Sequence, residues 1–249
     1  MKYLLLSLLL FLPTLYIHAQ SREAEEVPQL KEIPNYKESR LVFKLGAGMP
    51  QGDFGDDNPL NIEAGTAETG ILFEMDFFQE LNESFYFSLM ARFQANGADP
   101  EAIASALALQ PNISILEVTT DPWKTNSFMV GFGTIATSNA RSSLLTRFMI
   151  GYSSIASPSI IATASNGTSI VTVNQESVNS GTLSFLVGLG LKININEQLS
   201  FLVGADYYAA NPEFNNVTAT GSTGGFASAN FEQKVRIVNL SFGLGFNLN

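Results

Sequence analysis

The chain has 249 residues with 19 Phe, no Cys and a single His, and its 23 Asp and Glu outweigh 13 Lys and Arg to give a formal net charge of −10. Without Cys, and with His18 in a leader expected to be removed, it offers neither the usual near-neutral nucleophile and base nor the N and S ligands of a zinc centre. The acidic balance is unsuited to the phosphates of nucleic acid, and no cofactor or metal site is expected.

Residues 1–20, MKYLLLSLLLFLPTLYIHAQ, combine one Lys, a short leucine-rich core and a small residue at Ala19, the pattern of a secretory signal peptide. Residues 21–40 are charged and carry two prolines with no apolar period, so they read as a flexible periplasmic lead-in. From residue 41 to 249 apolar residues alternate with small or polar ones at period two, the strand signature. Strands are predicted at 41–49, 70–79, 84–95, 126–136, 143–156, 181–194, 198–209 and 234–248. The connections alternate: short at Asn82, Asn139 and Asn196, long at 50–69, 96–125, 157–180 and 210–233.

Within the long connections, GDFGDDN at 52–58 is acidic, but its spacing departs from that of a calcium loop and a solvated turn is expected. An Asp-Pro start at DPEAIASALALQ, 99–110, predicts a short surface helix. Asn166-Gly167 between SIIATA and SIVTV predicts a hairpin turn, which would carry the fifth and sixth strands beyond the membrane and offer an edge for another envelope protein within 157–180.

One face of the strands is apolar and aromatic, for example Ile71, Phe73, Met75 and Phe77, or Leu240, Phe242, Leu244 and Phe246. The other is largely Gly and Ser, as in Gly131, Gly133, Gly188, Gly190, Gly243 and Gly245. A soluble barrel of lipocalin type would place that second face in water, where a quarter to a third of its residues would be charged. An even number of strands of membrane-spanning length, with short turns at one end and long loops at the other, instead predicts an all-β fold. It is an eight-stranded antiparallel up-and-down transmembrane barrel, apolar outside and polar within, with short periplasmic turns, long extracellular loops and both termini in the periplasm.

The first strand and loop, KLGAGMPQGDFGDD, the eight alternating strands and the final NLSFGLGFNLN resemble the small outer-membrane barrels of the OmpA, OmpX and OmpW kind, particularly versions common in Bacteroidota. The resemblance implies residence in the outer membrane among lipid and lipopolysaccharide, and recognition of the last strand by the barrel assembly machinery. Phe246 and Leu248 hold the expected apolar positions there, although Asn249 takes the place of a terminal aromatic residue. The enzymes of this architecture rely on His, so the resemblance implies a non-enzymatic protein with a structural, surface-interaction or envelope-accessory role. A narrow conduit for small solutes is the alternative.

With Phe73, Met75 and Phe77 toward lipid, alternation turns Glu74 and Asp76 into the lumen, together with Lys44, Arg92, Arg147, Lys192 and Asp206. Four cations and three anions at the middle and lower levels of one narrow interior are expected to form a structural plug of ion pairs. A cation or proton path, or a gated pore, is the competing reading.

Overall fold

The computed structural model describes residues 38–110, 113–139, 141–165 and 167–248. The signal peptide, most of the lead-in and Asn166 lie outside the described residues. Among the described residues there are thirteen strands: β1 (Ser39–Pro50), β2 (Gly70–Glu80), β3 (Phe85–Asn96), β4 (Ser114–Thr120), β5 (Trp123–Asn139), β6 (Ser142–Ala156) and β7 (Ile160–Ser165). They continue with β8 (Ile170–Gln175), β9 (Asn179–Asn194), β10 (Leu199–Ala210), β11 (Glu213–Gly221), β12 (Phe226–Glu232) and β13 (Val235–Asn247).

Eight of them, β1, β2, β3, β5, β6, β9, β10 and β13, form a closed antiparallel barrel in which each pairs with the next barrel strand along the chain. Closure is made by β1 against β13, from Arg40 opposite Asn247 to Pro50 opposite Ile237. These are the predicted strands, shifted at their ends by no more than three residues. The predicted outer face is outside: Phe73, Phe128, Phe148, Leu183 and Phe242 are 39% to 82% exposed. A belt of this kind is stable where the solvent is hydrocarbon, which also demands that no strand edge be left open.

Two of the short turns are built alike. The side-chain oxygen of Asn82 accepts from the N–H groups of Ser84 and Phe85 at 2.8 and 2.9 Å, and Asn196 does the same for Gln198 and Leu199 at 2.9 and 2.8 Å. Asn at the start of the turn therefore supplies an acceptor that mimics a backbone turn and fixes strand register.

At the opposite end the long connections build a second structure, a crown. Its five-stranded sheet runs in the order β12-β11-β8-β7-β4. The predicted helix is present as α1 (Pro100–Ala108), capped by Asp99, whose side chain accepts from the N–H groups of Glu101 and Ala102. The predicted hairpin around Gly167 is β7 and β8, with the glycine at φ +82°, a conformation that favours Gly.

Two expectations need correction here. The hairpin does not prolong the barrel ladder, because β7 and β8 belong to the crown sheet and Pro158 marks the break between β6 and β7, as Pro122 does between β4 and β5 and Pro212 between β10 and β11; the returns from β8 to β9 and from β12 to β13 cross no proline. Proline has no N–H to continue a ladder and fixes φ, so the chain turns out of one sheet and enters another. The edge expected for a docking partner is also smaller than a free hairpin offers, since β4 pairs along β7 and β11 pairs with β8 from Val173 to Gln175, which leaves Ile170 and Val171 at the edge. The outermost strands of the crown are β4 and β12.

Candidate functional site

Six of the seven predicted lumen charges converge on one site, and the cross-strand register explains how. Lys44 on β1 lies opposite Glu74 on β2, which lies opposite Arg92 on β3, a row of alternating sign at one level. On the far wall Arg147 on β6 and Asp206 on β10 both lie opposite Gly188 of the intervening β9. A Cβ at Gly188 would come within 1.7 Å of Asp206 Oδ1, so the missing side chain is what lets acid and base meet across a strand. Gly188→Ala is therefore expected to cost about 1–3 kcal/mol in urea unfolding from lipid vesicles, the range for overfilling a tight interior. Unchanged stability would show that β9 yields at this point.

Arg147 is the hub. Its Nε donates to Asp206 Oδ1 at 2.8 Å, Nη1 to Asp76 Oδ2 at 3.0 Å and Nη2 to Glu74 Oε2 at 3.0 Å, so the three nitrogens of one guanidinium reach three carboxylates. Lys44 Nζ lies 2.7 Å from Asp76 and 3.3 Å from Glu74. Arg92 sits 3.5 Å from Glu74 and 4.6 Å over the Tyr208 ring, a cation–π contact. The site is charge-balanced: three cations, three anions, all with side chains no more than 9% exposed. Burial of this kind is tolerated only when each ion has partners.

Lys192 does not join them. Its ammonium lies 3.5 Å from Glu80 and 3.6 Å from Glu38 at the short-turn end, where Glu38 also pairs with Arg40. Arg40, Glu38 and Glu80 were missed by the sequence reading. Arg40 and Glu80 continue the inward parity of Lys44 and Asp76 and were legible from it; Glu38 precedes the strand and had no such signal. The two tiers are parted by an apolar layer: along β1 the inward residues are Arg40, Val42 and Lys44, and along β2 they are Asp76, Phe78 and Glu80, with Tyr86, Ile135, Leu145 and Leu202 completing the layer.

Above the central tier the lumen is filled again by Met90, Met129, Met149, Leu186, Tyr208 and Ile237. Among them the Tyr208 hydroxyl donates to Ser153 Oγ at 2.8 Å, and Ser153 bridges Ser127 and Ser184 at 2.7 Å each. The inner face is thus not simply Gly and Ser. Glycines alternate with large side chains that reach over them, as Tyr86 does over Gly133, where a Cβ would come within 2.3 Å of the ring.

The space left at the central tier is a cavity of about 30 Å³ beside Lys44, Asp76, Arg147 and Asp206, enough for one or two water molecules and for no solute. Asp76 Oδ1, which has no hydrogen-bond partner among the described residues, belongs to this site. In the loop at 51–69, Asp56 accepts from Asn61 Nδ2 at 2.7 Å and from the Asn58 N–H at 3.0 Å, and these bonds hold its carboxyl below the usual carboxylate range. No group of three or more potential ligands from His, Cys, Asp and Glu is assembled for a metal among the described residues.

Known structures with a similar arrangement are bacterial outer-membrane barrels of low sequence identity. Neisserial surface protein A shares 12% identity at TM-score 0.46, over 84% of this chain and 97% of that one. OprG from Pseudomonas aeruginosa shares 11% at 0.48, over 88% and 100%, and Ail, the attachment invasion locus protein of Yersinia pestis, shares 14% at 0.43, over 85% and 99%. No protein-family model matches the chain, and no curated protein does either.

Proposed function

We propose that this chain is a non-enzymatic integral protein of the bacterial outer membrane whose barrel is a plugged anchor and whose working part is the crown. The observation that carries this reading is the layered filling of the lumen: ion tier, apolar layer, ion tier, apolar layer, with a cavity of about 30 Å³ where the central ions meet the apolar layer. A conduit needs a continuous path, and the conduit reading has no observation of that kind behind it. The crown, by contrast, is an ordered sheet with its own helix, more structure than loops need to close a barrel.

Bacterial barrels of this type keep short turns in the periplasm and long loops outside. In that orientation the crown faces the medium, both termini face the periplasm, and the belt contacts lipid and the acyl part of lipopolysaccharide. Strand β13, which closes the barrel against β1, is the segment offered to the assembly machinery.

Two measurements test the reading. Wild-type protein in planar bilayers is expected to show no steady conductance; large, stable single-channel steps would put the conduit first. Because the chain contains no Cys, one engineered thiol is unique. In intact cells an impermeant thiol reagent is expected to label Thr223→Cys, in the exposed turn between β11 and β12, and to leave Glu197→Cys in the short turn before β10 unlabelled. The reverse pattern inverts the orientation.

A further inference from the structure

The crown sheet is amphipathic. Cross-strand register puts Ile115, Ala162, Val173 and Ala219 on the side that faces a cavity bordered by α1, and Thr163, Thr172, Asn174 and Thr220 on the other, where Ile161 and Ile170 are the exposed apolar exceptions. Helix α1 covers the apolar side incompletely, with Ile103 and Leu107. Between helix and sheet a cavity of about 320 Å³ remains, with aliphatic walls, the carboxamides of Gln110 and Gln175 at its margin and no aromatic ring. The space is a cleft open to solvent, so its aliphatic wall stays in contact with water and an apolar group seated there would remove that area from water.

Next to it lies a second cavity of about 470 Å³, and the two share Ile103, Leu107, Ile160 and Gln175 as common wall. This second chamber differs in chemistry. Trp123, Phe231, Ile62 and the apolar side chains of α1 form most of its wall, and the solvent-exposed residues Asp57 and Glu232 border its mouth with Asn58 and Asn61. No Lys or Arg among the described residues lines either chamber. The cation nearby in sequence, Lys234, is held by Glu63 at 2.6 Å and Asp53 at 3.7 Å. Both volumes fall within the range of small-molecule sites.

We propose that the crown binds a cationic amphiphile, its aliphatic chain between α1 and the apolar face of the crown sheet and its positively charged head in the adjoining acidic chamber. The wall chemistry selects each half. A saturated chain matches walls of Ile, Leu, Val and Ala, and a flat aromatic body finds no ring to stack on in the chain chamber. An anionic head would meet two carboxylates and no counter-charge, whereas a cationic head gains from both. The site is distinct from the plugged lumen, so it stands or falls independently of whether the barrel conducts.

The experiment exploits Trp123, the one tryptophan of the chain, which lines the head chamber. Full-length protein in phosphatidylcholine nanodiscs is titrated below the micelle concentration with octyltrimethylammonium, octanoate and tetramethylammonium, and Trp123 emission is followed. A saturable change with octyltrimethylammonium is expected, with affinity about fivefold or more above that for octanoate, and none with tetramethylammonium. Ala162→Phe, which fills the chain chamber, is expected to abolish the change, and Asp57→Asn with Glu232→Gln to erase the preference for the cation. Heat-modifiable migration in SDS reports whether Ala162→Phe is folded; Leu107→Lys, which places a charge in the same chamber, replaces it if not. A response that rises without saturation and is the same in the folded chamber variant means partition into the bilayer only, and overturns the proposal. Equal affinity for octanoate overturns the assignment of the head.

Discussion

Replacing Arg147 with Met is expected to lower the free energy of unfolding from lipid vesicles by about 3–5 kcal/mol, the range for removing one side of a buried ion pair. The size follows from its position. The substitution leaves Glu74, Asp76 and Asp206 with Lys44 and Arg92 alone, and Asp206 loses the only ion pair it makes among the described residues. The loss is chiefly the cost of a buried charge without a partner, so a balanced deletion is expected to cost less than the single one. Arg147→Met with Asp206→Asn should recover part of the stability, and the same holds from the other side: Glu74→Gln with Asp76→Asn should be partly rescued by Arg147→Met. A double-mutant cycle on urea unfolding measures this, because coupled sites depart from additivity. Additive losses would mean that the six charges act as separate ornaments on the wall. Full stability of the Glu74 and Asp76 variant, with loss of its cellular role, would instead mark the two acids as a working site.

Trp123→Ala is expected to cost about 3–5 kcal/mol, as for other deletions of a large buried aromatic ring, and to spend that loss in the crown. Trp123 is the first residue of β5 and is 4% exposed. Its ring meets Phe54 at 5.5 Å and Phe214 at 5.9 Å, both edge to face, and its Nε1 donates to the Gly65 carbonyl at 3.0 Å. One side chain at the barrel rim thereby fastens the loop at 51–69 and strand β11. Without it those two segments share fewer buried contacts with the barrel, and local opening becomes easier than global unfolding. Limited proteolysis should then nick residues 51–69 and 211–234 in the variant under conditions that leave the wild type intact. The barrel itself should keep its heat-modifiable migration in SDS, because its ladder is closed along the whole length of β1 and β13 and not through Trp123. If both properties are lost together, crown and barrel unfold as one unit and the division drawn between anchor and working part fails at the level of stability.

Sequence by itself determined the barrel. Each strand carries its own instruction, a period-two alternation between lipid and lumen, and that instruction is local: Phe73 and Met75 point out and Glu74 points in whatever the neighbouring strand does. Alternating loop lengths supplied connectivity, Asn82 and Asn196 supplied the turns, and Asp99-Pro100 supplied the start of α1. Inward parity also named the six residues that meet around Arg147. Only the tertiary structure decided which of them meet, because the level of a charge in a tilted, staggered barrel depends on register between strands far apart in sequence. Lys192 had the right parity and falls in another tier; Arg40 and Glu80, also with the right parity, complete that tier with Glu38. Gly188 shows the same limit from the other side: as a residue it is one small position among many, and as a neighbour it is the gap through which Arg147 and Asp206 reach each other. The crown was least legible of all. Its strands are short and half exposed, so the hydrophobic alternation that marks a lipid-facing strand is weak in them, and β4, β11 and β12 were read as loop. Their pairing joins segments from three separate connections, β4 with β7 and β8 with β11, and no local pattern encodes a partner that distant.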